Sequence, residues 1–130
     1  MVITHGFSTR WQGHLAYIEK LSGYHIYPID HAGHGLSGDR RGTYRLLDFV
    51  DDMAEFIECV PGAEVDYFGA SLGALVGLNV AGIRPELINF LVLGDAPIAI
   101  LTENYMVRGC RKPETKRRKN LRPEFQLKRR

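Results

Sequence analysis

The chain predicts an α/β fold: a parallel sheet of about four strands with helices on both faces. Two observations carry this. Short β-prone runs alternate with helical patterns in the order β-α-β-α-β-α-β, and those runs are almost continuously apolar, as strands covered on both sides are. A third sets the scale, since 130 residues hold one domain.

Val2-Ile3-Thr4 is a β-branched run that ends at His5-Gly6-Phe7 and reads as the first strand. Leu15, Ile18 and Leu21 recur at helical spacing between Gly13 and Ser22-Gly23, which predicts a helix over 13–21. His25 to Ile29 is the second strand. Pro28 lies inside it and cannot donate to a ladder, so the position belongs at a sheet edge or a strand end. Asp30 to Gly42 is a glycine-rich connection without a period. Leu46, Leu47, Val50, Met53, Ala54 and Ile57 mark an amphipathic helix with Asp48, Asp51, Asp52, Glu55 and Glu58 outward. Glu64 to Phe68 follows as a buried strand. A helix carrying Leu72, Leu75, Val76, Asn79 and Val80 comes next, with Gly73, Ala74 and Gly77 keeping one side small enough to lie close to a sheet. After the turn at Arg84-Pro85-Glu86, Phe90 to Leu93 is a continuous apolar strand ending at Gly94-Asp95.

Beyond Ile100 the regularity fades. Residues 1–107 hold 6 Lys or Arg against 13 Asp or Glu, a balance of −7, whereas residues 108–130 hold 11 against 2, a balance of +9. The chain therefore divides into a core over 1–100 and a basic, flexible tail over 101–130. No apolar run approaches the length of a membrane span and the N-terminus lacks a basic leader, which implies a soluble, cytoplasmic protein. Cys59 and Cys110 have neither metal nor redox spacing, so neither a disulfide framework, a metal site nor a cofactor is expected.

The chemistry concentrates at Gly69-Ala70-Ser71-Leu72-Gly73, a G-x-S-x-G pentapeptide between a strand and a helix. That context suits a serine raised out of a sheet on a sharp turn, with flanking glycines because side chains there would strike the neighbouring strand and helix. A serine here can equally be no more than a helix N-cap. On the pentapeptide alone both readings stand.

Four stretches in order resemble the α/β-hydrolase superfamily: His5-Gly6 after the first strand, Asp30-His31-Ala32-Gly33-His34-Gly35-Leu36-Ser37, the pentapeptide around Ser71, and Arg84-Pro85-Glu86-Leu87 before the last strand. The run from Asp30 to Gly42, followed by Asp48 to Asp52, is similar to monoacylglycerol lipases, lysophospholipases and the serine aminopeptidase S33-like group, although Ala70 stands where that group usually has histidine. The resemblance implies a partial α/β-hydrolase fold and a serine hydrolase acting on acyl esters of lipid-like alcohols. It makes Ser71 the nucleophile and the backbone N–H groups of Leu72 and Phe7 the oxyanion donors, with His5, Gly6, Gly69, Gly73, Asp30 and His34 shaping the loops. His34 is expected to fix its own loop by hydrogen bonding. Asp95 is a weak candidate for the acid.

The family places acid and histidine after the nucleophile, yet the last histidine in this chain is His34. The resemblance therefore implies a truncated member, nearly inactive alone. Open strand edges make self-association, and a role as a non-catalytic binding partner, the competing reading. Nucleic-acid binding through Lys116-Arg117-Arg118-Lys119 is set below a solvated tail.

Overall fold

The computed structural model describes residues 1–39, 42 and 44–97. The expected tail at 101–130, the boundary at 100 and Cys110 lie outside the described residues. Nine elements follow in order: β1 (Val2–Thr4), a 3₁₀ turn (Trp11–His14), α1 (Leu15–Ile18), β2 (Tyr27–Ile29), α2 (Leu46–Cys59), β3 (Val65–Ala70), α3 (Leu72–Ile83), a second 3₁₀ turn (Pro85–Leu87) and β4 (Ile88–Gly94). The four strands form one parallel sheet in the order β2-β1-β3-β4.

That order locates the site before any side chain is considered. The chain leaves β1 toward β2 on one side, then crosses back over β1 to build β3 and β4 on the other. Right-handed crossovers running in opposite directions put their helices on opposite faces. Accordingly α2 and α3 share one face, while His14 and Tyr17 pack their rings on Phe68 from the other. The loops leaving β1 and β3 diverge at this switch point and open a crevice at the strands' carboxyl ends.

The core lies between the sheet and the α2–α3 pair. Val2, Val65 and Tyr67 from the strands meet Phe49, Val50, Met53 and Ile57 of α2, Val76 and Val80 of α3, and Leu87 and Ile88. Asp48 opens α2 by accepting a hydrogen bond from the Arg45 N–H through Oδ2 at 2.9 Å. β2 is an edge strand, with Pro28 in register with Ile3, so the missing donor costs little there. Among the described residues no helix is long and apolar enough to cross a membrane.

Four local expectations need correction. The helix expected over 13–21 is a 3₁₀ turn plus one α-helical turn, with the chain leaving as single turns through Lys20 and Leu21. Four residues cannot sustain a propagating helix, and Leu15 and Tyr17 are exposed, so His14 is the buried anchor. In α2, Leu47 is 50% exposed and Phe49 is buried instead, because the helix turns Phe49, its first buried residue, toward the rings of His31, His34 and Tyr44. β3 extends to Ala70, into the pentapeptide, and not only to Phe68. β4 begins at Ile88, and Phe90 and Val92 are 67% and 50% exposed. As a strand alternates its faces, Leu91 reaches the α3 side while Phe90 and Val92 point to the face that the short α1 does not cover.

Candidate active site

Ser71 joins β3 to α3 with φ 49° and ψ −107°, a strained conformation for a residue with a Cβ. It occupies the N-cap position, yet its side chain makes no capping hydrogen bond. The helix-cap alternative therefore finds no support in the geometry. The bend is tight because backbone packs on backbone: a Cβ on Gly69 would strike the Gly73 carbonyl, and one on Gly73 would strike Thr4.

The amides around the bend are tied down selectively. Ser71 N–H donates to the Gly94 carbonyl at 2.8 Å and Gly73 N–H to the His5 carbonyl at 3.1 Å, fixing the turn to β4 and to β1. The Leu72 N–H between them, at the first residue of α3, has no acceptor among the described residues. The β1 loop arrives from the other side, so close that a Cβ on Gly6 would lie 3.3 Å from the Ser71 Cβ.

Gly6 and Phe7 form the edge of that loop. The Gly6 carbonyl accepts from His5 Nδ1 at 2.7 Å, from the Thr9 N–H at 3.1 Å and from Thr9 Oγ1 at 3.1 Å. A trans peptide aims its N–H opposite to its C=O, so the Phe7 N–H is held pointing away from this knot, and it too has no acceptor among the described residues. The Phe7 ring itself is exposed.

The histidines beneath this loop are engaged. His5 is fully buried, and its Nε2 accepts from the His31 N–H at 3.1 Å, so its one ring proton sits on Nδ1 and goes to Gly6. Burial lowers the pKa of His5, with His34 adding to the shift and the Gly6 bond and Asp30 opposing it. His31 is pushed down to about 4, first by burial and then by His5 and His34, and its Nε2 is buried without a hydrogen-bond partner among the described residues. His14 is lowered by burial and by His5. His34 approaches two carbonyls, Ala32 at 3.0 Å through Nδ1 and Phe7 at 2.6 Å through Nε2. Asp30 organises its surroundings as an acceptor, taking the Trp11 N–H at 2.7 Å and the Leu36 N–H at 3.3 Å on its carboxylate, and the Ser37 hydroxyl at 2.7 Å on its carbonyl. Gly35, at φ 54°, leaves the space that this carboxylate fills.

The structure thus brings Ser71, Leu72, Gly6 and Phe7 together, with His5, His34 and Asp30 behind them. Asp95 is exposed at φ 49° just past Gly94 and hydrogen-bonds no described residue. Sequence reasoning passed over Tyr67, whose buried hydroxyl donates to the Gly73 carbonyl at 3.1 Å and accepts from Thr4 Oγ1 at 2.8 Å, bracing β1 against the first turn of α3. A tyrosine two residues before the pentapeptide, on the same strand face as Val65, was the available signal. An open cavity of about 580 Å³ lined by Ser8, Thr9, Arg10, Gln12, Gly13 and Gly35 adjoins the Phe7 loop, and Ser71 does not line it. No group of side chains suited to a metal ion occurs among the described residues.

A parallel sheet crossed at β1/β3, with a strained serine at the end of one central strand and a tethered amide loop at the end of the other, defines an α/β-hydrolase. The chain belongs to the family described as serine aminopeptidase, S33, whose model matches residues 1–130. It is 32% identical over 91 residues to (E)-2-((N-methylformamido)methylene)succinate hydrolase of Acinetobacter baylyi, covering 68% of this chain and 34% of that protein. It is 29% identical over 101 residues to the AB hydrolase superfamily protein YfhM of Bacillus subtilis, covering 75% and 35%. Among solved structures, a monoacylglycerol lipase of Paleococcus ferrophilus matches with a TM-score of 0.63 and 31% identity over 71% of this chain and 36% of that one. The chain spans about a third of the length of these relatives.

Proposed function

We propose that this chain carries the nucleophile and oxyanion half of a serine hydrolase acting on carboxylic acyl esters, monoacylglycerol-like or lysophospholipid-like. The carrying observation is Ser71 itself, held at positive φ, uninvolved in capping, and flanked by the unclaimed amides of Leu72 and Phe7. In this reading Ser71 Oγ attacks the acyl carbon, and the two N–H groups take the charge that develops on the carbonyl oxygen; one such donor is worth about 10²- to 10³-fold in rate. The likeness to a monoacylglycerol lipase supports the ester class. All five histidines precede Ser71 in sequence, and no described histidine hydrogen-bonds to it. The chain as it stands then works without its base, at a cost on the order of 10⁶ in kcat. A fluorophosphonate probe tests the nucleophile directly: slow labelling of the wild-type chain that Ser71→Ala abolishes is expected, and a folded, longer chain that supplies the missing base and still never labels would refute the assignment.

A second reading has its own observation. Phe90 and Val92 stand exposed on β4, the strand at one edge of the described sheet, and such an edge invites another strand. Here the chain acts as a binding partner, pairing β4 with a second copy. Gel filtration decides it: a dimer that Phe90→Lys dissociates supports pairing, and a stable wild-type monomer rules it out.

A further inference from the structure

The Phe7 amide belongs to a loop with two carbonyl anchors, one on each side of it. The first, the Gly6 carbonyl, is held from within the loop by His5 and Thr9. The second, the Phe7 carbonyl, has a single donor from outside among the described residues: Nε2 of His34, at 2.6 Å, reaching across 27 residues from the glycine-rich connection after β2. The His34 and Phe7 rings also meet edge to face at 5.7 Å, and His34 lies 6.4 Å from Phe49 of α2. Carbonyl oxygens only accept and a neutral imidazole carries one N–H, so only one of the two contacts can be a hydrogen bond; the shorter, to Phe7, takes the proton on Nε2 and leaves Nδ1 merely close to Ala32. The Phe7 side chain is 70% exposed, so apart from the His34 ring contact it supplies little burial to hold its backbone.

We infer that His34 is a positioning residue for the oxyanion site: its Nε2–H to the Phe7 carbonyl fixes the Phe7 backbone and thereby the place at which the Phe7 N–H is presented beside Ser71. With Gly6 C=O and Phe7 C=O both pinned, the amide between them has neither a flip nor a hinge available. This differs from a role confined to its own loop, which the Nδ1 contact to Ala32 would serve. It rests on the proposed function only in what the Phe7 N–H is for.

Two substitutions separate the two contacts. In His34→Gln the side-chain amide reaches about as far as Nε2 and can still donate to Phe7, whereas in His34→Asn it reaches only as far as Nδ1 and can serve Ala32 alone. The first measurement is the ¹⁵N order parameter of the Phe7 amide in the full chain. The expected values are about 0.85 in the wild type and in His34→Gln, and below about 0.6 in His34→Asn and His34→Ala. The second is the rate of Ser71 fluorophosphonate labelling, expected to fall about 10-fold in His34→Asn and to stay within about 3-fold of wild type in His34→Gln, since a donor loosened costs less than one removed. A Phe7 amide as rigid in His34→Asn as in the wild type, or a His34→Gln chain no better ordered than His34→Asn, overturns the inference. If no variant labels even with free imidazole added in place of the missing base, while the order parameters behave as expected, the hydrolase reading fails and the positioning of Phe7 by His34 stands.

Discussion

One phenolic hydroxyl joins β1 to the serine turn alongside the Gly73 N–H bond to the His5 carbonyl, so Tyr67→Phe is the sharpest structural test. Tyr67 is wholly buried, and burial raises its pKa far above the ordinary tyrosine range, so it stays a neutral donor at every working pH. Its single proton goes to the Gly73 carbonyl at 3.1 Å, and Thr4 Oγ1 donates to it at 2.8 Å. Removing the oxygen deletes both bonds while leaving the ring in place. Gly73 lies inside α3, where its carbonyl keeps the helical acceptor role, but the Thr4 hydroxyl is left with only the Phe68 carbonyl at 3.5 Å. Two net hydrogen bonds at about 1 kcal/mol each, plus part of the penalty for a stranded hydroxyl, give a loss of about 2 to 3 kcal/mol. For a domain of this size that is a drop of about 10 to 20 °C in Tm. Urea unfolding of wild type, Tyr67→Phe, Thr4→Val and the double variant forms a cycle. The two losses should not add, with a coupling of about 1 kcal/mol. Additive losses, or a Tyr67→Phe chain within about 0.5 kcal/mol of wild type, would refute the bracing role.

Three further outcomes follow from the same geometry. His31 is held neutral in the folded chain, with its pKa lowered from 6.5 to about 4, and faces His5, His34, Asp30 and Asp52. The unfolded chain therefore binds the extra proton between those values, so stability is complete above pH 6.5 and declines as pH falls toward 4, by about 3 kcal/mol from this residue. Urea midpoints across that range, with the His31 ring followed by NMR, check it; a His31 that titrates near its ordinary value contradicts it. Gly35→Ala drives a methyl into the Asp30 carboxylate at positive φ and should cost more than about 2 kcal/mol, whereas Gly38→Ala, with nothing within 4 Å, should stay within about 0.5 kcal/mol; equal thermal shifts in the two would count against the packing described. Ser71→Gly relieves a strained φ and should stabilise the chain by about 1 kcal/mol in urea unfolding, a destabilised variant arguing that the turn is not strained.

The amino-acid sequence by itself determined what depends on near neighbours. The period of Val50, Met53 and Ile57 made α2, Pro28 marked its strand as peripheral, and the glycines at 69 and 73 placed a sharp turn at Ser71 whose local reason is visible in the Gly69–Gly73 contact. Such features are set by residues within a turn or two of one another, so they can be read along the chain. Where α2 begins its buried face, and whether β4 is covered, were settled only by packing. Phe49 replaces Leu47 because histidine rings from another loop await it, and Phe90 is bare because α1 is too short to reach it. The order β2-β1-β3-β4, the proton on His5 Nδ1, the low pKa of His31 and the joining of Thr4 to Tyr67 across 63 residues belong to the same class. They arise from burial and from pairings between distant segments, which no local spacing encodes. The serine and the loops around it could be named from pattern and resemblance, but the distances that bring Gly6 against Ser71 exist only once β1 has paired with β3.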